Sequence, residues 1–112
     1  MTQSTPFDMD SERDADSARL TVAGELDIAT VPQLQEAIDS MLSDGVSDLL
    51  LDLRQLAFID SSGLRMLILL SSRADGEGWT LRLLRPADRS LSVFEITGAD
   101  ENLPFVEESS AP

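Results

Sequence analysis

Between Leu49 and Leu70 (LLLDLRQLAFIDSSGLRMLILL) the chain is almost continuously apolar, broken by one polar knot, Asp60-Ser61-Ser62-Gly63. The run Val46 to Leu53 predicts a strand buried on both faces. Arg54-Gln55 start a short connection to Ala57-Phe58-Ile59, which leads into the knot. Out of it comes a second helix, from about Ser62 to Ala74, in which Leu64, Met66, Leu67, Ile68, Leu69 and Leu70 are apolar almost all the way round. A helix on one face of a small sheet buries only part of that circumference. Either Met66, Leu69 or Leu70 is left exposed beside the knot, where an apolar patch suits a protein partner, or neighbours pack the helix on both sides. The periodicity leaves both open.

Before this run the spacing changes. Phe7 to Asp10 and Ala18 to Ala23 alternate apolar and polar, which predicts an antiparallel hairpin joined by a charged turn at Ser11 to Ser17. Acids at 8, 10, 12, 14 and 16 suggest a calcium loop, but Arg13 stands where glycine is needed and Arg19 where the closing glutamate is needed. A solvated acidic turn fits better. Gly24-Glu25-Leu26-Asp27 closes the strand. Thr30 with Gln33 has capping-box spacing, and Pro32 sits in the first turn of a helix whose buried face is Leu34, Ala37, Ile38, Met41 and Leu42, stopped at Gly45. Beyond the second helix, Asp75 to Gly78 is a turn, Trp79 to Leu84 a strand stopped by Pro86, Ala87 to Thr97 a short helix capped at Gly98, and Leu103 to Val106 an edge strand. The order β, β, α, β, α, β, α, β predicts an α/β (α+β-like) fold, a small mixed sheet with helices mainly on one side. At 112 residues this is one domain, with a folded core over 7–106 and flexible ends at 1–6 and 107–112.

Composition then removes chemistry. The chain has no Cys, His, Lys or Tyr. Disulfides, thiolate or histidine metal sites, a Ser-His-Asp triad and a lysine Schiff base are all excluded. Carboxylates, serines and arginines remain, which supports binding far better than catalysis, and no cofactor or metal is expected. A hydrolase elbow needs G-x-S-x-G, and Ile59 and Asp60 occupy its leading positions. The net charge of −13 repels nucleic acid and anionic membranes; it serves solubility or a partner with a basic face. Met1 to Asp16 is polar and acidic rather than a signal segment, and the apolar runs are too short to span a bilayer, so no membrane insertion and a cytoplasmic location are expected.

Three motifs give the chain a family resemblance. They are Gly24-Glu25-Leu26-Asp27 with Thr30; Leu51-Asp52-Leu53 followed by Phe58-Ile59-Asp60-Ser61-Ser62-Gly63-Leu64; and, more weakly, Glu95-Ile96-Thr97-Gly98. Together they resemble the STAS family, specifically the bacterial anti-sigma factor antagonists, from about Leu20 to Val106. The resemblance implies the STAS fold and a partner switch. In it the first serine of the knot, Ser61, is phosphorylated by an anti-sigma factor that is itself a serine kinase. The unphosphorylated form binds that kinase and frees a sigma factor, and a PP2C-type phosphatase reverses the mark. The partner surface it implies comprises Asp27, Thr30, Asp60, Ser61, Ser62, Gly63, Leu64 and Met66. In one departure, the family's usual C-terminal helix is expected to be missing or very short, since the chain ends EESSAP. A STAS subunit of another complex, such as lipid transport, or a sensor of nucleotide or ligand, shares the fold and is the alternative.

The knot itself supports the switch chemically. D-S-S-G is also good capping composition, and without the GELD motif in register an ordinary helix cap would be the simpler reading. Ser61 and Ser62 both offer hydroxyls at a helix start, and Gly63 keeps bulk away from an approaching enzyme. One of Asp60, Ser61 and Ser62 caps the helix; Ser62 is the expected cap, which leaves Ser61 free. A phosphate there adds about −1.5 to −2 charge. The helix terminus favours it by about 0.3–1 kcal/mol. Asp60 opposes it by roughly 3 kcal/mol for unit charges ~5 Å apart at an effective dielectric near 20, before solvent screening. Arg65, one turn on, offsets part of this, and the expected effect of the mark is local rather than a refolding.

Overall fold

Burial alternates without interruption along Ser17–Leu26, where Ala18, Leu20, Val22, Gly24 and Leu26 are buried and the residues between them half-exposed. This strand organises a five-stranded sheet in the computed structural model, which describes residues 6–86 and 103–107. The described elements are β1 (Asp8–Asp14), β2 (Ser17–Leu26), α1 (Val31–Ser43), β3 (Asp48–Ile59), α2 (Ser61–Glu77), β4 (Thr80–Leu84) and β5 (Phe105–Val106). The strands lie in chain order; β1 runs antiparallel to β2, and every later pair is parallel. Leu34 and Ile38 of α1 and Leu64, Leu67 and Leu70 of α2 share one core with Leu20, Val22, Leu49, Leu51, Leu53 and Leu83. Both helices therefore cover the same face of a mixed sheet, as the element order predicts. The helix expected over 87–97, and all but Pro6 and Glu107 of the flexible ends expected at 1–6 and 107–112, lie outside the described residues.

Several boundaries differ from the expected ones. The acidic turn is mostly strand: β1 continues to Asp14, and the reversal takes only Ala15 and Asp16, with Ala15 at φ 56°. Register with β2 puts Asp8, Asp10, Glu12 and Asp14 opposite Ala23, Thr21, Arg19 and Ser17, all on the face away from the helices. Arg13 fastens the hairpin tip to the end of α1, donating to the Ala15 and Asp44 carbonyls at 2.8 Å each. The connection expected at Arg54-Gln55 is part of β3, which bulges twice, opposite Thr21–Ala23 and opposite Gly24–Glu25. Each extra residue points two neighbours outward in succession and so mimics a break in the strand.

Both helix ends are explained by glycine. Val46 N donates to Met41 O and Gly45 N to Leu42 O, both at 3.1 Å, closing α1 in a Schellman motif with Gly45 at φ 99°. The turn expected at Asp75–Gly78 is instead the last turn of α2, stopped by Gly78 at φ 80°. Arg73 holds that turn by donating to Glu77 on α2 and Asp39 on α1, and Trp79 Nε1 donates to Glu77 at 3.1 Å.

Among the described residues one charge lies inside. Asp52, 1% exposed, faces away from the helices beneath two arginines. Arg54 grips it with Nε to Oδ1 at 2.9 Å and Nη2 to Oδ2 at 2.8 Å, and Arg19 Nη2 donates to Oδ2 at 2.7 Å. At the first bulge the Arg54 backbone N–H also donates to Oδ1, at 3.1 Å. Burial on its own would raise the Asp52 pKa. The hydrogen bonds from the Arg54 side chain and backbone and from Arg19 outweigh burial and lower it from 3.8 to about 2. A carboxylate whose pKa is lower folded than unfolded stabilises the fold above its unfolded value. That contribution, roughly 2 kcal/mol, is lost as pH falls from about 5 towards 2. Urea unfolding across this range should show the loss, and Asp52→Asn should be less stable near neutral pH and lose less on acidification.

Candidate functional site at the corner of β3 and α2

β2 and β3 end side by side, Leu26 paired with Ile59, and the next residue of β3 ties the two ends together: Asp60 N donates to Leu26 O at 3.2 Å. Asp60 is extended (φ −104°, ψ −174°) and turns the chain into α2. Its Oδ1 accepts from Gly63 N at 3.0 Å and its carbonyl from Leu64 N at 3.0 Å. Asp60 is therefore the cap, and the expectation that Ser62 caps is corrected. The helix starts at Ser61, so the position just outside it belongs to the aspartate, whose carboxylate reaches the third amide. Neither serine hydroxyl makes a hydrogen bond among the described residues. Exposure, rather than capping, distinguishes them: Ser61 is exposed and Ser62 half-buried.

Gly63 faces inward rather than towards an approaching enzyme. A Cβ there would lie 2.8 Å from Leu26 O and from Ile59 Cγ1, and 2.9 Å from Leu26 Cγ. Only glycine lets α2 begin this close to the end of β2.

The loop from β2 to α1 is held from within. Asp27 Oδ1 accepts from Ala29 N at 2.9 Å and Thr30 N at 3.1 Å. Thr30 Oγ1 accepts from Asp27 N at 2.9 Å and donates to Glu25 O at 2.8 Å. The capping box expected between Thr30 and Gln33 does not form, because the threonine hydroxyl is engaged in the loop behind it. Thr30 still occupies the position before α1, and Pro32 lies in its first turn.

Of the residues expected to meet a partner, Asp27, Thr30, Asp60, Ser61 and Ser62 gather around the Leu26–Asp60 hydrogen bond. Gly63, Leu64 and Met66 belong to the core, Met66 being only 3% exposed. The expectation of Met66 on the surface is corrected: the helical rotation turns it, with Leu70, into the groove against Gln35 and Ile38 of α1. Ile68 and Leu69 are the outward apolar positions of α2. Sequence reasoning passed over two exposed apolar residues at this end, Ile28 in the β2–α1 loop and Phe58 near the end of β3. Ile28 was legible as an apolar residue within a turn, and Phe58 by lying one strand position from buried Ile59.

The corner presents an accessible hydroxyl at a helix start, next to the Asp60 carboxylate. Gly63→Ala should cost about 1–3 kcal/mol, since the Leu26 carbonyl cannot yield without moving β2. Asp60→Ala should cost about 0.5–2 kcal/mol through the lost cap. Urea denaturation monitored by circular dichroism measures both.

Comparison with known proteins gives the same answer at three levels. A family profile described as "Mlab, STAS domain" matches residues 9–107. The anti-sigma-B factor antagonist of Staphylococcus aureus (strain NCTC 8325 / PS 47) is 36% identical over 77 residues, covering 69% of this chain and 71% of that protein. An anti-sigma factor antagonist from Mycobacterium paratuberculosis superposes with a TM-score of 0.77 at 24% identity, covering 92% of this chain and 89% of the other. SpoIIAA superposes in its unphosphorylated form with a TM-score of 0.72 at 21% identity, covering 95% of this chain and 92% of the other. In the phosphorylated form of SpoIIAA, from Bacillus, the score is 0.67 at 21% identity, covering 95% and 96%. The chain belongs to the STAS domain family, among the anti-sigma factor antagonists.

Proposed function

We propose that this domain is a phosphorylation-controlled partner switch acting in the cytoplasm. Unphosphorylated, it binds an anti-sigma factor that is also a serine kinase and so frees a sigma factor. The kinase moves the γ-phosphoryl group of ATP to Ser61 Oγ; the hydroxyl proton leaves, ADP is released and the complex parts. A PP2C-type phosphatase hydrolyses the phosphoserine and resets the switch. The observation that carries this reading is Ser61 itself, an exposed hydroxyl without a hydrogen-bond partner on a corner fixed by Asp60 and Gly63. The relatives named as anti-sigma-B factor antagonists support it, as does a fold neighbour known in both phosphorylation states.

The role is one of binding, with no part for nucleic acid or membrane insertion; no helix among the described residues is long and apolar enough to cross a bilayer. A ligand sensor would need a hollow. The larger one among the described residues lies at the opposite end of the strands, lined by Glu12, Ser17, Arg19, Leu50 and Arg82. Arg13 lines it too, and all three arginines are already bonded: Arg13 to the Ala15 and Asp44 carbonyls, Arg19 to Asp52 and Arg82 to Asp48. This favours the switch over the sensor.

Phosphate on Ser61 has Asp60 as its neighbour, and that carboxylate is committed to Gly63 N. The mark therefore alters the surface and leaves the fold in place. Incubation with anti-sigma factor kinases and ATP should label Ser61, and Ser61→Ala should remain unlabelled by mass spectrometry. Ser61→Asp should bind the kinase more weakly than wild type; equal binding would sink the switch. Amide spectra of the labelled chain should shift around Ser61 only.

A further inference from the structure

Ile28 is 77% exposed, the most exposed large apolar side chain among the described residues. Single exposed hydrophobes are common and need no purpose. What sets Ile28 apart is the rigidity beneath it. The Asp27 carboxylate takes the amides of Ala29 and Thr30, and the Asp27 carbonyl takes those of Thr30 and Val31 at 3.1 and 2.9 Å. The Thr30 hydroxyl bridges Asp27 N and Glu25 O. The backbone is thus pinned on both sides of a residue whose own side chain is offered to solvent. Holding an apolar group in a fixed outward pose adds nothing to folding, but it removes an ordering cost from binding.

Position adds to this. Ile28 lies two residues beyond Leu26, and Ser61 one residue beyond Asp60, so the two flank the Leu26–Asp60 hydrogen bond. Phe58, 49% exposed, pairs across β2–β3 with Glu25, at the same end of the strands. The charge around them is acidic, from Glu25, Asp27 and Asp60. An interface drawn to that acidity would gain strength from a further negative charge at Ser61. One built on burying an apolar group beside Ser61 loses strength, because a phosphate in or against it must be desolvated. A switch that releases on phosphorylation therefore needs the apolar kind of contact.

We propose that Ile28 is the anchor by which this domain engages its anti-sigma factor, seated in an apolar cavity of that partner, with Phe58 beside it and with Asp27 and Thr30 as positioning residues. This rests on the partner-switch reading above. The test is calorimetric titration of the unphosphorylated chain against each purified anti-sigma factor serine kinase of its own genome. Ile28→Ala should bind at least tenfold more weakly, with an unchanged melting temperature, while Ile28→Val stays within about threefold of wild type. Asp27→Ala should weaken binding as well, but with faster amide exchange at Ala29 and Thr30, which Ile28→Ala leaves unchanged. Wild-type affinity should vary only a few-fold between low and high salt. If wild type binds and Ile28→Ala binds equally well, or if salt abolishes the affinity, the anchor is wrong and the switch stands. If wild type binds none of these kinases, the switch reading falls and the anchor with it.

Discussion

The whole corner depends on one close approach, the first turn of α2 against the last carbonyl of β2. Leu26 O accepts the Asp60 amide and lies where a Cβ on residue 63 would have to go. Because the helix starts so soon after β3, Asp60 has to be extended, and its carboxylate falls naturally on the third amide of the helix. That in turn directs Ser61 outward with nothing to hold its hydroxyl. The β2–α1 loop leaves from the same carbonyl, so its geometry and that of the serine are set by one contact between backbones. Two segments far apart in sequence are thereby locked into one surface.

Much of this was legible in the order of residues. A continuous apolar run broken by D-S-S-G can be satisfied by a strand turning into a helix, and GELD in register places a second strand beside it. What the sequence left undecided are choices between equals. Aspartate and serine cap helices about equally well, so composition alone cannot say whether residue 60 or 62 does so; the answer came from the glycine contact. Arg54-Gln55 look like a connection because a bulge presents two successive outward residues. Thr30 has the spacing of a capping box, but its oxygen, which would have to accept the Gln33 amide, is turned back into the loop, where it accepts from Asp27 N and donates to Glu25 O. Met66 was ambiguous because an all-round apolar helix does not announce which side faces its neighbour.

The acids of this chain do different work according to where the sheet puts them. Asp52 is buried and bound by two arginines, so it stays ionised well into acid and serves the fold. Asp27 and Asp60 spend their carboxylates on backbone amides and serve the shape of the corner. Asp52 is thus withdrawn from the surface, while Asp27 and Asp60 keep their charge there and use one oxygen each to hold the backbone. Overall charge describes the field far from the molecule; at contact distance the corner also presents the Ser61 hydroxyl and the apolar carbons of Ile28.

The edge strand β1 carries this further. Its acids at 8, 10, 12 and 14 stand in one row on a strand whose outer side pairs with nothing among the described residues. A bare edge of this kind is ordinarily an invitation to extend the sheet with another chain, and from there to aggregate. Were a second copy to add itself there, antiparallel or parallel, two rows of like charge would face each other at the spacing of adjacent strands, where such pairs repel. The acidic row keeps the sheet from growing by self-pairing.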